Sequence, residues 1–159
     1  DNDNKKGFDL WSGGEVATFL TFGRNVELTF EWTWHTLNGT DEHCDKLIIN
    51  FAKDTPPHSL ETKLGSIAEF HIECGEEVIA IKQGKKELAR NGFSFQPERK
   101  YVLRVLITEG RVRTSVDGVE VANAEIEQAQ FRISLENQPR TGTFNRFSSI
   151  KNIEVTEME

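Results

Sequence analysis

Cysteine, proline and long apolar runs are scarce in this sequence, and each scarcity excludes a class of protein. The 159 residues include two cysteines and four prolines. Two cysteines are too few for a disulfide-dense scaffold, and no apolar run approaches the ~20 residues of a membrane helix. The apolar and charged fractions, 36% and 28%, are typical of a soluble globular chain. We therefore predict one domain over residues 8–159, a flexible segment over residues 1–7, and no membrane insertion.

Positive charge is also in short supply, since 19 Lys and Arg face 26 Asp and Glu and the net charge is −7. A chain this acidic is a poor general partner for nucleic acid, whose phosphates require a basic surface. The cations are unevenly placed: residues 79–113 hold nine of them against three Glu, a net +6, and the rest of the chain carries −13. Clustered cations suit an anionic ligand or an acidic protein patch, whereas cations that pair across strands form a solvated sheet face. The sequence leaves both alternatives open.

Helical periodicity is hard to find, and apolar residues instead alternate with polar ones. In 26–34 every second residue is apolar, which predicts a strand with one dry face. Segment 84–92 has helix-forming residues but lies between glycines and is too short for a stable helix. Further strands are predicted at 46–52, 67–73, 77–82, 100–108, 111–117, 119–124, 130–136 and 149–156. Turn signals at Glu109-Gly110 and Asp117-Gly118 predict hairpins, and the fold class is an all-β antiparallel β-sandwich.

The two cysteines and a glycosylation sequon carry little information about the compartment. Cys44 and Cys74 are consistent with one disulfide or with two buried thiols, and we favour thiols because domains that fold without bridges rarely keep an isolated one. Asn38-Gly39-Thr40 matters only if the protein passes through a secretory pathway. The sequence starts at Asp1 with no signal peptide, so extracellular and cytoplasmic locations both stay open.

Signatures of metal, cofactor and catalytic sites are missing. The histidines and cysteines are scattered, and none has the paired spacing of a zinc site. Phosphate-binding and nucleophile motifs are absent, as is the Glu-x-Asp-x-x-Glu run of jelly-roll glucanases. Glu73, Glu76 and Glu77 are close in sequence but lie at a strand end and turn. We predict no enzyme activity, no cofactor and no metal.

Short motifs follow one another in a fixed order along the second half of the chain. They are FHIE at 70–73, VIAIK at 78–82, Phe93-Ser94-Phe95, and the alternating segments YVLRVLI, RVRTSVDG and VEVANAE. From about Ile67 to Val155 this order resembles the galectins, the β-galactoside-binding jelly-roll lectins. Galectins carry His-x-Asn-x-Arg, Val-x-Asn and Trp-Gly-x-Glu-x-Arg before a Phe-Pro-Phe segment. The resemblance implies a jelly-roll β-sandwich in which strands 26–34 and 46–52 precede the histidine strand and 8–22 add an edge strand.

The resemblance also implies where a sugar site would lie, with His71 and Glu87 at the family's first histidine and its glutamate. The other family positions differ. In the first motif Glu73 and Gly75 replace the Asn and the Arg, and in the second motif Lys82 replaces the Asn. In the third motif Gly84 replaces the tryptophan that stacks on galactose, and Ala89 replaces the Arg, with Arg90 one position later. The predicted ligand-binding residues on the concave sheet face are His71, Glu73, Lys82, Glu87 and Arg90.

An aromatic platform for a sugar ring is not evident. Trp32 and Trp34 lie on the apolar side of their strand, so we expect both in the core. Trp11 is the freer aromatic and either caps the sandwich edge or contacts a ligand.

These features favour a non-enzymatic, lectin-like carbohydrate-binding domain with a non-standard site. His71 and Glu87 would bond sugar hydroxyls, and Lys82 and Arg90 would favour the carboxylate or sulfate of an anionic glycan. The partner is then a glycan or glycoconjugate. The alternative is a protein-protein interaction module of galectin fold that has lost sugar binding, with a protein partner or a homodimer formed through an edge strand.

Overall fold

A computed structural model describes the chain at residues 7–11, 15–17, 23, 25–35, 46–53, 66–73, 77–127, 131–138 and 147–158. The sequon at Asn38 and the cysteines Cys44 and Cys74 lie outside these residues, as does the side chain of Trp11. Gly7 is the first residue of the first strand, and the rest of segment 1–7 also lies outside them. Among the described residues, no helix is long and apolar enough to cross a membrane.

The described strands form two antiparallel six-stranded sheets, in the orders β1-β12-β3-β8-β9-β10 (sheet A) and β2-β11-β4-β5-β6-β7 (sheet B). The strands are β1 (Gly7–Trp11), β2 (Glu15–Ala17), β3 (Val26–His35), β4 (Lys46–Lys53), β5 (Ser66–Glu73), β6 (Val78–Gln83), β7 (Lys86–Gly92), β8 (Tyr101–Thr108), β9 (Arg111–Val116), β10 (Val119–Glu125), β11 (Phe131–Gln138) and β12 (Phe147–Glu157). The predicted all-β antiparallel sandwich is confirmed.

The period-2 pattern places one side of each sheet in a shared core. Along β3 every second residue is buried, from Val26 through Trp34, and the residues between them are partly exposed. The predicted core positions of Trp32 and Trp34 are confirmed. The ring of Trp32 packs edge-on against Phe95 with centroids 5.2 Å apart, and Phe95 in turn contacts Tyr101. The aromatic side chains are therefore used as core, as expected for a sandwich that must fill the space between two sheets.

Two tight turns define the β8–β9–β10 meander. Both residues of each turn have positive φ: Glu109 and Gly110 at 50° and 74°, Asp117 and Gly118 at 51° and 83°. This is the type I′ geometry whose twist matches that of the flanking strands, and it explains why the Asp-Gly and Glu-Gly pairs predicted hairpins.

Two segments differ from their predictions. Residues 86–92, which we had not assigned as a strand from composition, form the edge strand β7 because they pair with β6 across the Gly84-Lys85 turn. Segment 8–22 was expected to add one edge strand. It contributes two, with β1 at the edge of sheet A beside β12 and β2 at the edge of sheet B beside β11.

Candidate functional site

The five predicted site residues share the outward surface of sheet B, which we call face B. On β5 the core side takes Ala68, Phe70 and Ile72, so Glu69, His71 and Glu73 point the other way. Cross-strand pairing then extends the same surface over β6 and β7. His71 lies opposite Ala80, and Ala80 lies opposite Arg90. One row further along, Glu69, Lys82 and Glu87 are neighbours in the same way.

A β-bulge brings Glu87 and Arg90 onto this one surface. Residues three apart on a regular strand point to opposite faces. Here the pairing shifts by one residue, so that Ile81 faces Ala89 while Lys82 faces Glu87, and Leu88 is the extra residue. The shift turns Arg90, rather than Ala89, towards face B. Its Nη1 lies 3.4 Å from Oε2 of Glu87, and the two side chains are 47% and 36% exposed.

Glu73 is the most buried of the predicted ligand-binding residues, with only 3% of its side chain exposed. Its Oε1 lies 3.3 Å from the ammonium of Lys46 and 3.5 Å from that of Lys82. Two cations therefore compensate the loss of water around this carboxylate. Glu73 fixes the positions of the two lysines and presents almost no surface of its own to solvent.

His71 is also buried, and its two nitrogens have different surroundings. Nε2 lies 2.6 Å from Oε2 of Glu69. Nδ1 is 3.8 Å from Oε1 of Glu73 and has no hydrogen-bond partner among the described residues. The imidazole thus separates two carboxylates on one strand. Sequence reasoning did not single out Glu69, although the alternation of IAEFHIE places it on the same face as the other two.

This arrangement bears on hydrolysis, because glycosidases use two carboxylates on either side of the bond that breaks. Glu69 and Glu73 share face B, but the ring of His71 fills the space between them. A glycosidic oxygen would have to occupy that space. Oε1 of Glu73 is in addition paired with the ammonium groups of Lys46 and Lys82. In the described part of the chain, no group of three or more His, Cys, Asp and Glu side chains is arranged to hold a metal ion.

The basic segment 79–113 does not form a single face. Lys82 and Arg90 lie on face B, whereas the arginines of β8 and β9 lie on the outward surface of sheet A, which we call face A. Most of these cations have a carboxylate close by. On sheet A and the segments next to its strands these pairs are Arg99–Asp117, Lys100–Glu31, Arg104–Glu27 and Arg111–Glu125, at 3.0–3.5 Å. Most cations of this segment therefore pair with carboxylates, as in the solvated sheet face that was one of the two alternatives from the sequence.

Face A also carries a hydrogen-bonded chain that sequence reasoning missed. His35 Nδ1 lies 2.7 Å from Oε2 of Glu98, its Nε2 lies 2.8 Å from Oγ of Ser149, and Ser149 donates to Asp9 at 2.8 Å. A serine, a histidine and a carboxylate in this order resemble a nucleophilic triad. Ser149, however, donates its single proton to Asp9 and not to His35, so these hydrogen bonds link β1, β12 and β3.

Comparison with known proteins places this geometry in a structural class. No protein-family model matches the sequence, and no curated protein matches it. Among solved structures, the carbohydrate-binding module CBM66 from Bacillus subtilis superposes with a TM-score of 0.63 at 12% identity, over 91% of this chain and 82% of that one. Caenorhabditis elegans galectin LEC-6 gives 0.58 at 13% identity, over 92% and 95%. The alginate lyase AlgAT5 gives 0.64 at 9% identity, over 94% and 76%.

The fold is therefore the galectin-like jelly-roll β-sandwich, as the order of the motifs implied. At these identities the likeness concerns the fold alone, and the fold is shared by a binding module, a galectin and an enzyme. The function has to be argued from the residues of face B.

Proposed function

We propose that the protein is a non-enzymatic, lectin-like carbohydrate-binding domain that holds its glycan on face B. The observation that carries the proposal is the group formed by Lys82, Glu87 and Arg90, which the bulge at Leu88 brings together on the accessible edge of sheet B. Lys82 and Arg90 supply charged donors, and Glu87 supplies an acceptor. Sugar hydroxyls both donate and accept, so a site that offers both to neighbouring hydroxyls suits a glycan.

His71 and Glu73 take supporting roles in this proposal rather than the direct contacts first expected of them. Glu73 holds Lys46 and Lys82 by charge, and His71 is buried beside it. The exclusion of water strengthens these ion pairs and holds the lysine ammonium groups in place along face B. The ligand then contacts Lys82, Glu87 and Arg90, with His71 and Glu73 beneath them.

We propose an anionic glycan as the preferred ligand, because two of the three accessible groups are cations. Among the described side chains of face B no aromatic ring is exposed to stack on a sugar. Without that platform, binding depends on charged hydrogen bonds to a carboxylate or sulfate, each contributing about 1.5–3 kcal/mol. Affinity should therefore fall steeply with added salt.

A glycan array that includes neutral, uronic-acid and sulfated oligosaccharides tests the proposal. We expect retention of acidic glycans by the native protein and about a tenfold loss or more for Lys82→Ala combined with Glu87→Ala. Lys100→Ala is the matched control, since Lys100 is an exposed, paired lysine on face A. Equal binding by the native protein and the double variant would contradict the proposal.

An interaction module that has lost sugar binding is the second candidate, and one observation favours it. β10 is an edge of sheet A, and Val119 on that strand is 65% exposed. An edge strand with an exposed apolar side chain can pair with a protein partner or a second copy of the chain. Sedimentation equilibrium would show a dimer that Val119→Lys dissociates. A monomer at all concentrations would exclude the homodimer.

A further inference from the structure

A polar pocket lies on face A, on the opposite side of the sandwich from the proposed glycan site. It has a volume of about 220 Å³ and is formed by β8, β9 and the start of β10, with Arg104, Leu106, Arg113, Ser115 and Glu120 among its lining residues. Cross-strand pairing explains the grouping. Arg104 lies opposite Ser115, Leu106 opposite Arg113, and Ser115 opposite Glu120.

The arginines around this pocket differ in their partners. Arg104 donates to both carboxylate oxygens of Glu27, at 3.0 and 3.1 Å, and this hydrogen bonding raises the pKa of its guanidinium above the ordinary value. Arg111 donates to Asn123 and Glu125 at 2.8 and 3.1 Å. Arg113 lies on β9 between Arg111 and Ser115, the residue opposite Arg104. Within the described residues Arg113 makes no ion pair and no side-chain hydrogen bond.

The other lining groups complement that guanidinium. Leu106 is half-buried and presents an apolar surface beside Arg113. Glu120 is exposed and receives one weak hydrogen bond, at 3.3 Å from Asn123. Ser115 has a hydroxyl that both donates and accepts. The pocket therefore combines a cation without an acid partner, a carboxylate with spare acceptor capacity, and an apolar patch.

We infer that this pocket binds a carboxylated, hydroxyl-bearing molecule of the uronic acid type. The ligand carboxylate pairs with Arg113, whose planar guanidinium suits two parallel hydrogen bonds. The ligand hydroxyls donate to Glu120 and exchange hydrogen bonds with Ser115, while the C–H face of the ring lies on Leu106. Glu120 disfavours a compact dianion such as phosphate, because its own negative charge lines the same pocket. A neutral sugar would leave Arg113 unpaired.

Titration of ¹⁵N-labelled protein with glucuronate, followed by amide chemical shifts, tests this site directly. We expect saturable shifts in β8, β9 and the β9–β10 turn. Glucose and acetate should give shifts about tenfold weaker at equal concentration, because each lacks one of the two interactions. Shifts with acetate equal to those with glucuronate would show a plain anion site and overturn the inference, as would no shift at face A.

Two variants separate this site from the glycan site of face B. Arg113→Gln should weaken glucuronate binding about ten- to a hundredfold, and Arg113→Lys should recover part of it. Arg113 is exposed, so neither change should affect folding. Lys82→Ala combined with Glu87→Ala should leave the face A shifts unchanged, even if face B proves to bind no sugar. Undiminished binding by Arg113→Gln would overturn the inference.

Discussion

Lys82 lies opposite Glu69 in the β5–β6 ladder, yet its ammonium lies 3.5 Å from Oε1 of Glu73, four residues further along β5. Its side chain therefore runs along the sheet past the pair formed by His71 and Ala80. Ala80 faces outward with a single methyl group and is nonetheless fully buried. A small residue at this position allows the lysine to reach Glu73, and the lysine in turn covers the middle of face B.

Glu73→Gln should destabilise the fold by about 1–3 kcal/mol. The amide removes the charge that holds Lys46 and Lys82, and a buried carboxylate with two cations is replaced by a neutral group beside them. Urea denaturation measures the change in the free energy of unfolding. Glu120→Gln, on an exposed carboxylate, should change it by less than about 0.5 kcal/mol. Equal effects in the two variants would contradict the role given to Glu73.

The bulge at Leu88 can be tested by exchanging two neighbours. The double change Ala89→Arg and Arg90→Ala restores the glutamate–arginine spacing of galectins in sequence. Ala89 packs against the core in this structure, so the new guanidinium should point inward and cost about 2 kcal/mol or more. Arg90→Ala alone should leave the urea midpoint nearly unchanged. A double variant as stable as the single one would show that the bulge can shift.

Leu103→Ala should cost about 2–5 kcal/mol, since Leu103 is fully buried in the core between the sheets and its truncation leaves a cavity. Val119→Ala is a matched truncation of an exposed aliphatic side chain and should cost less than about 0.5 kcal/mol. Thermal unfolding followed by circular dichroism distinguishes the two. Similar losses would mean that the core does not lie where the alternation places it.

Gly118→Ala tests the β9–β10 turn through the backbone alone. A Cβ added there would meet no atom within 4 Å, but the residue has φ of +83°, which L side chains rarely adopt. We expect a loss of about 1 kcal/mol. At Gly92 an added Cβ would contact a carbonyl at 3.9 Å and φ is not positive, so Gly92→Ala should be neutral or slightly stabilising. Differential scanning calorimetry of both variants provides the comparison.

Ser149→Ala should loosen β1. Its hydroxyl connects Asp9 on β1 with His35 on β3, and among the described strands β1 is an edge strand that pairs with β12 alone. We expect amide hydrogen exchange in β1 to accelerate about fivefold or more, corresponding to the loss of about 1 kcal/mol. Ser115→Ala, on the same face but outside this chain of hydrogen bonds, should leave β1 unchanged. Unaltered exchange in Ser149→Ala would exclude the link.

The strands could be predicted from the sequence because alternation is a local signal, readable in each segment separately. The strand predicted at 26–34 ends one residue before β3 does. The apolar run at 46–52 correctly predicted that Ile48 is buried together with its two neighbours. The fold class followed, and the order of the galectin-like motifs specified the jelly-roll type. The Asp117-Gly118 turn was equally local, since it depends on two residues with positive φ.

The candidate site was less predictable because it depends on pairing between strands. The shift at Leu88 that turns Arg90 to face B arises from the partner strand β6 and has no signature in KELARNG itself. The same holds for the charges: 79–113 reads as one basic block, but the chain crosses from sheet B to sheet A between β7 and β8 and divides it. The ion pairs of Glu73 likewise depend on Lys46 and Lys82, which come from two other strands.

The position of β12 between β1 and β3 sets an order of events during synthesis. β3 has an apolar side that includes Trp32 and Trp34, and one of its two neighbours, β12, follows it in the chain after eight other described strands. The hairpins from β4 to β7 and from β8 to β10 join strands adjacent in sequence and can form as they emerge from the ribosome. One edge of β3 therefore stays unpaired until β12 has left the ribosome.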